Sequence, residues 1–247
     1  MNPPRDSVGI MQPYFFPYLG HFALIASVRE WIVFDVTQYT PKTWMNRNRI
    51  LHPGGGWQYV TVPLSRSSIS IKTWQAEVLN LAQTQDNLLG KLSHYKRKAP
   101  YFDAVHALVV EVFEALQDDG LVGLNVATLQ AVCRYLDLPF HYRICSALQL
   151  PFSAHPEAGE WALEICENLG FRHYINPAGG RALFSPERYA AHGVALSFAH
   201  FSRFDYDTGP YVFEPDLSIL DVLMWNSPEK VVEAIRRGVT IEQVGCP

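Results

Sequence analysis

The sequence predicts an α/β protein with a Rossmann-like parallel sheet at its core and an added helical lobe. Three observations predict it: strand and helix patterns alternate in the first third, amphipathic segments fill the middle, and alternation returns in the last third. The chain has 247 residues, 48% of them hydrophobic, enough for a sizeable core. We expect one domain over 1–247, with an α/β core from 1–75 and 138–225 and a helical part at 76–137.

The first third carries the signal for the parallel sheet. "SVGIMQ" is short, apolar and followed by Pro13, which predicts a buried strand. "GHFALIASVREW" has Phe22, Ile25 and Ala26 at helical spacing, and "WIVFDV" predicts a second buried strand. Strand, helix and strand within about thirty residues indicate a βαβ unit and parallel pairing. "WQYVTVPL" alternates after the turn "HPGGG" and predicts a third strand.

The remaining elements follow from periodicity and end signals. Three middle segments have apolar residues every three or four positions and predict helices: "TWQAEVLNLAQTQDNLLGKLSHYKRK", "YFDAVHALVVEVFEALQD" and "LVGLNVATLQAVCRYLDL". "PFHYRICSAL" and "RHYINPAGG" predict strands, and "PERYAAHGVALSFAHF" predicts a short helix and a strand. "PEAGEWALEICENLGF" predicts a helix ended by Gly170, and Pro228 begins the last helix.

Composition excludes several classes of protein. The net charge of −4 gives no reason to expect a nucleic-acid partner. The four cysteines have no zinc or C-x-x-C spacing, and the nine histidines include no i, i+4 pair, so we expect reduced thiols and no metal site. The N-terminus lacks the apolar region of a signal peptide, and no run is long enough to span a membrane. We therefore expect a cytoplasmic protein.

The stretch "MQPYFFPYLGH" lies between the first predicted strand and helix and is the first candidate site. Free N–H groups at a helix N-terminus suit phosphate oxygens. Gly20 would let the backbone approach an anion closely, and His21 could donate to it. The candidate binding residues are Gln12, Tyr14, Tyr18, Gly20 and His21. The alternative is an aromatic plug that caps the sheet, with His21 as a satisfied first-turn residue.

The stretch "FDVTQYTPKTWMNRNRI" is the second candidate site. Asp35 follows an apolar run, at the predicted carboxyl end of a strand, where ligands of parallel sheets bind. Arginine forks suit carboxylate or phosphate, so Arg47 and Lys42 would clamp an anionic group. Gln38 and Asp35 would orient an acceptor. The remaining binding candidates are Asn46 and Asn48. The alternative is a solvated loop.

Three further segments have simpler explanations. "SHYKRKAPYF" is typical of a solvated, basic helix end. "NPAGGRALF" fits an anion cradle or, equally well, a hairpin turn. In "DLSILDVL", Ser218 and Asp221 lie three residues apart, which is typical of a helix N-cap followed by an acidic first turn.

Five segments occur in the same order as in a known family. "GIMQPYFFPYLGHFALI", "FDVTQYTPKTWMNRNRI", "VPL", "HYKRKAPYF" and "LSILDVL" together resemble the WbqC-like protein family. The resemblance implies a bacterial protein linked to surface-polysaccharide (O-antigen, lipopolysaccharide) or secondary-metabolite biosynthesis. The first strand, turn and helix also resemble those of nucleotidylyltransferase-like (HUP-like) enzymes, whose His-x-Gly-His turn holds ATP phosphates, and this resemblance implies a Rossmann-like core of that kind. Here Tyr18 stands in place of the first histidine of that turn.

These observations lead to an expected function. We expect a transferase or ligase that binds ATP, with Mg²⁺, or an activated nucleotide at the Met11–His21 turn. It would transfer a nucleotidyl or acyl group to a small molecule: a sugar, an amino acid or a nucleotide conjugate. His21, Asp35 and Arg47 are the candidate catalytic residues. Two alternatives stay open: an ATP-independent acyl- or aminoacyltransferase with Asp35 as general base, and a non-catalytic binding or assembly protein of the same pathway.

Overall fold

The computed structural model describes residues 3–244. The strands are β1 (Ser7–Met11), β2 (Glu30–Val33), β3 (Arg47–Leu51), β4 (Trp57–Thr61), β5 (Leu64–Arg66), β6 (Glu77–Val78), β7 (Tyr142–Ile144), β8 (His173–Pro177), β9 (Ala195–Phe201) and β10 (Val239–Val244). The helices are α1 (Leu19–Ile25), α2 (Leu81–Leu92), α3 (Phe102–Glu114), α4 (Leu121–Tyr135), α5 (Cys145–Leu148), α6 (Glu160–Leu169), α7 (Pro186–Ala191), α8 (Ile219–Trp225) and α9 (Pro228–Gly238). The prediction of a mixed α/β protein is confirmed.

A six-stranded sheet forms the centre, in the order β10-β9-β8-β1-β2-β7. Five of these strands run parallel, and β10 pairs antiparallel with β9 at one edge. The chain first fills one side of β1 with β2 and β7, and then places β8, β9 and β10 on the other side. The order of the strands therefore reverses between β1 and β8, and the carboxyl ends of these two strands meet at one edge of the sheet.

Both faces of the sheet are buried, which explains the near-continuous apolar runs in β1 and β2. Val8 and Ile10 pack with Ile32 on one face, in a cluster that includes residues of α6 and α7. Trp31 packs on the other face, in the larger cluster with α1 and the middle helices. A Cβ on Gly9 would lie 2.9 Å from the Trp31 ring, so this glycine makes room for the tryptophan.

The middle of the chain supplies α2, α3 and α4. α3 packs against α2 and α4, and also against α8 from the last third. The segment predicted as one long helix from Thr73 begins instead as a 3-10 turn and the short strand β6, and α2 starts after Asn80, whose side chain caps it. Gly170 ends α6 in the left-handed conformation (φ 77°), and Pro228 opens α9, so both end signals are confirmed.

The third predicted strand forms, but outside the central sheet. β4 pairs antiparallel with β3, with Arg49 opposite Tyr59, and the turn between the strands uses Gly55 and Gly56 at positive φ. The sequence analysis did not predict β3, because "RNRIL" begins with polar residues. Its Asn48 is buried through hydrogen bonds rather than through apolar contact.

Two sequence expectations concern features away from the sheet. Cys133, Cys145 and Cys166 are buried free thiols, while Cys246 lies outside the described residues. Between residues 3 and 244, none of the helices has the length and apolarity needed to cross a membrane.

Candidate functional site

A cleft of about 520 Å³ opens where the order of the strands reverses. β1 reaches it with Met11, β8 with Pro177 and β9 with Phe201. Ligands of open α/β sheets bind outside the carboxyl ends of the strands at such a reversal. The other lining residues come from three segments far apart in the chain: Tyr14, Pro17, Tyr18, His21, Trp44, Asn48, Arg49 and Asp216.

The turn after β1 divides its aromatic residues between the core and the cleft. Phe15 and Phe16 are fully buried, edge to face with ring centroids 5.0 Å apart. Tyr14 and Tyr18 are only partly buried and line the cleft. The aromatic plug considered in the sequence analysis therefore corresponds to Phe15 and Phe16, whereas Tyr14 and Tyr18 lie on the wall of the cleft.

Hydrogen bonds hold this turn in a conformation that costs strain. Phe16 has a φ of 39°, which is unfavourable for a bulky residue. Asn48 Nδ2 donates to the carbonyls of Phe15 (2.9 Å) and Phe16 (2.8 Å), and Ser218 Oγ also donates to the Phe16 carbonyl (2.7 Å). Two contacts from α4 complete the clamp: Asn125 Nδ2 to the Pro13 carbonyl (2.8 Å) and the Phe16 amide to Thr128 Oγ1 (3.4 Å). Asn48, a sequence candidate for ligand binding, lines the cleft while its amide supports the turn.

Gly20 makes room for Tyr18. A Cβ on Gly20 would lie 2.5 Å from the Tyr18 ring, so this space is filled by a side chain, where the sequence suggested an approaching phosphate. α1 has only seven residues, and Tyr18 precedes it without a side-chain cap. Burial, and then the charge of Asp216, raise the pKa of the Tyr18 hydroxyl. Tyr18 therefore reaches the cleft as a neutral phenol.

His21 lines the cleft as a buried, uncharged imidazole. It is 3% exposed and packs edge to face on Trp31, with ring centroids 4.9 Å apart. Burial lowers its pKa to about 3. Within the described residues, its Nε2 atom has no hydrogen-bond partner. His21 can therefore form a hydrogen bond with a ligand but contributes no positive charge near neutral pH.

Arg49 brings a positive charge to the wall of the cleft. Its guanidinium lies 5.2 Å from the Trp57 ring and 5.5 Å from the Trp44 ring, and Nη2 donates to the Asp216 carbonyl (3.1 Å). Its Nε atom is buried and has no partner in the described part of the chain. No carboxylate of residues 3–244 lies within 4.0 Å of it. A rigid, unneutralised guanidinium of this kind suits a phosphate or carboxylate.

The cations chosen from the sequence lie elsewhere. Arg47 is on the outer face of the β3–β4 hairpin, with its guanidinium 4.2 Å from the Tyr59 ring. Lys42 is exposed on the preceding loop, at a φ of 58°. Gln12 follows β1 directly and is half-buried. The structure does not place these three side chains on the walls of the cleft.

The two remaining amide candidates bind backbone carbonyls. The Gln38 side chain donates to the Ile69 carbonyl, and Asn46 Nδ2 donates to the Val62 carbonyl at 3.3 Å. Each bond joins the 38–46 segment to the chain that follows the hairpin. Neither residue lines the cleft.

Asp35 joins two strands of the sheet instead of facing a ligand. It is fully buried, accepting from the Ser146 amide at Oδ1 (2.9 Å) and from Ser146 Oγ at Oδ2 (2.6 Å). This connects the end of β2 to α5, which follows β7. Burial raises the pKa of Asp35, and the two bonds from Ser146 oppose that rise. The geometry leaves no exposed carboxylate edge, so it does not favour general-base catalysis by Asp35.

Asp221 stabilises the strand that carries Arg49. Its buried carboxylate accepts from the hydroxyls of Tyr95 and Tyr206 (2.8 Å for Tyr206) and from the Leu51 amide (3.2 Å). These contacts join α8 to the end of β3, two residues after Arg49. Ser218 caps α8 as expected, by accepting from the Leu220 amide. Asp221, which the sequence indicated only as an acidic residue of the first helical turn, therefore also joins α8 to β3 in the protein interior.

The sequence analysis missed Trp44, Arg49 and Asp216 as site residues. Arg47 and Arg49 are equivalent by local sequence, and only the neighbours of each side chain distinguish them. A strand assignment for "RNRIL" would have placed both on one face, since side chains two apart share a face. Asp216 comes from a loop remote in the chain, and no local pattern identifies it.

Fold and site together define an α/β protein with a cleft at the reversal of a mostly parallel sheet. The chain belongs to the WbqC-like protein family, which it matches over residues 12–233. It is similar to the uncharacterized protein Rv1507c of Mycobacterium tuberculosis, with 25% identity over 217 residues, 87% of this chain and 92% of the relative. No solved structure matches the chain significantly. The resemblance in the sequence is thus confirmed at the level of the family.

Proposed function

We propose that this protein is a biosynthetic transferase or ligase that binds ATP or another activated nucleotide in the cleft. It would transfer a nucleotidyl or acyl group in surface-polysaccharide or secondary-metabolite biosynthesis. One observation carries the proposal: Arg49 Nε and His21 Nε2 are buried without partners in the described chain, and both residues line one cleft. Buried polar atoms are nearly always paired in folded proteins, so a ligand with oxygens at both positions would complete the site.

The order of the strands supports a nucleotide ligand. Numbered along the chain, the six strands of the central sheet lie in the order 3-2-1-4-5-6. Dinucleotide-binding sheets of the Rossmann type have this order and hold their ligand where it reverses. The cleft lies at the corresponding place, between the ends of β1 and β8. A Rossmann-like, nucleotidylyltransferase-related origin of the fold is part of the proposal.

The lining residues suggest how such a ligand would lie. Arg49 would hold a phosphate, and the ring of Trp44 or Tyr14 would pack against a base or sugar. His21 would pair with an uncharged polar group. These are positioning and electrostatic roles, which are the main contributions that proteins make to phosphoryl and nucleotidyl transfer. When ATP is the ligand, Mg²⁺ would neutralise part of the phosphate charge.

The test uses the two arginines of β3 as a matched pair. We expect isothermal titration calorimetry to detect binding of ATP, AMP or a UDP-sugar to the unmodified protein. Arg49→Ala should weaken the binding of AMP or UMP at least tenfold, a loss of about 1.4 kcal/mol. Arg47→Ala removes the same charge from the same strand but outside the cleft, and should change that affinity by less than about threefold.

Two results would contradict the proposal. One is the absence of binding for every nucleotide and nucleotide-sugar on the folded, unmodified protein. The other is an equal loss of affinity for a singly phosphorylated ligand in the two arginine variants. Such a result would show that Arg49 acts only through long-range charge attraction and not through direct contact with the ligand. Thermal melting of both variants checks that they remain folded.

A further inference from the structure

The outer face of the β3–β4 hairpin continues from the rim of the cleft. Arg47 and Arg49 are two residues apart on β3, so both side chains project from this face, with Cα atoms about 7 Å apart at roughly 3.4 Å per residue. The opposite strand contributes Trp57 and Tyr59 to the same face. Arg49 belongs to this face and also lines the cleft, so a ligand that extends from the cleft along β3 reaches Arg47 next.

Each of the two guanidinium groups lies beside an aromatic ring of the opposite strand. Arg47 lies over Tyr59, whose Cα pairs with Arg49, and Arg49 lies over Trp57, whose Cα pairs with Leu51. Both arginines therefore lean in the same direction along the hairpin. Arg49 Nη2 donates to the Asp216 carbonyl, and a guanidinium beside an aromatic ring can still use its remaining N–H groups to bind an anion.

Arg47 and Arg49 differ from most of the other described arginines in their electrostatic surroundings. Neither arginine forms a salt bridge within residues 3–244, although the net charge of the chain is −4 and acidic residues outnumber basic ones. Most of the other described arginines do pair with a carboxylate, as Arg66, Arg134 and Arg143 do. Two like charges on one face, neither paired with a carboxylate among residues 3–244, are complementary to a ligand with two anionic groups.

We propose that Arg47 forms a second anion subsite beside the cleft, so that the substrate carries two anionic groups separated by about one ring. This rests on the proposed nucleotide site at Arg49 and narrows its substrate class to doubly anionic nucleotides. One phosphate would bind Arg49 inside the cleft, the ring would lie along the hairpin, and the second phosphate would bind Arg47.

Nucleoside monophosphates and the matching 3′,5′-bisphosphates are the probes, with adenosine and uridine as bases. Calorimetry should show that the bisphosphate binds the unmodified protein at least tenfold more tightly than the monophosphate. Arg47→Ala should reduce that preference to about twofold or less while leaving the monophosphate affinity nearly unchanged. Lys42→Ala, which removes an exposed cation from the neighbouring loop, should keep the preference.

The outcomes separate the two proposals. If the monophosphate binds through Arg49 but the bisphosphate binds no better, or its advantage survives Arg47→Ala, the second subsite is overturned and the proposed function stands. If Lys42→Ala abolishes the preference as completely as Arg47→Ala does, the effect is general charge attraction and the subsite is again overturned. If neither probe binds, both proposals fail.

Discussion

At the residue scale, the ring of Tyr18 packs against Gly20. The phenol ring occupies the space that a side chain on residue 20 would take, which keeps Tyr18 on the wall of the cleft. The glycine in "PYLGH" is thus a packing requirement, and the turn depends on a contact between residues two apart. The adjacent His21 is buried against the rings of Tyr14 and Trp31.

Gly20→Ala tests the pair. The new Cβ would overlap the Tyr18 ring, and overpacking of this kind costs about 1–3 kcal/mol of stability. In a Tyr18→Ala background the overlap is gone, and alanine should be neutral or stabilising by up to about 1 kcal/mol, because it favours helix over glycine. Urea unfolding of the four proteins measures the coupling. Equal effects of Gly20→Ala in both backgrounds would contradict the packing role.

His21 makes stability depend on pH. Its pKa is about 3 in the folded protein and 6.5 in an ordinary environment, so below pH 6.5 the unfolded chain binds a proton that the folded chain excludes. Stability should therefore fall as the pH falls from 6.5 towards 3, by about 1.4 kcal/mol per unit and about 2 kcal/mol by pH 5.

His21→Phe keeps an aromatic ring against Trp31 and removes the titrating group. Denaturant unfolding at pH 7 and pH 5 should show a smaller loss of stability in the variant than in the unmodified protein. Burial also lowers the pKa values of His94 and His173, but these residues are present in both proteins and cancel in the comparison. Identical pH dependence would show that His21 does not stay neutral.

At the scale of elements, the site depends on how β3 is joined to its neighbours. Asp221 at the start of α8 receives hydrogen bonds from Tyr95, Tyr206 and the backbone of β3, and so fixes the strand that carries Arg49. The N-cap of α8 is local and was readable from the sequence. The junction was not readable, because its partners come from segments up to 170 positions away.

Asp221→Ala should lower stability by at least about 3 kcal/mol, since it leaves several buried donors unpaired at roughly 1–3 kcal/mol each. Asp86→Ala is the control: it removes an exposed aspartate from α2 and should change stability by less than about 0.5 kcal/mol. Chemical denaturation of both variants measures the difference. A small effect of Asp221→Ala would mean that its hydrogen-bond partners find water or other groups in the variant.

At the scale of the whole molecule, the cleft exists because the chain returns to β1 after a long excursion. β2 and β7 lie on one side of β1, whereas β8 arrives on the other, and the space between the ends of β1 and β8 is the cleft. The hairpin, the turn after β1 and the loop before α8 then close its walls. Its chemistry is therefore assembled from parts that are remote in the sequence.

The sequence by itself determined the family, the α/β class, most helices and the strands of the parallel sheet, because local periodicity and end signals record these features directly. It also located the turn after β1 that lines the cleft. Only the tertiary structure decided that Arg49 rather than Arg47 enters the cleft, that Asp35 is occupied by Ser146, and that Gly20 serves Tyr18. The physical reason is that a side chain's role depends on which neighbours bury, pair or neutralise it, and those neighbours are brought together only by the packing of distant segments.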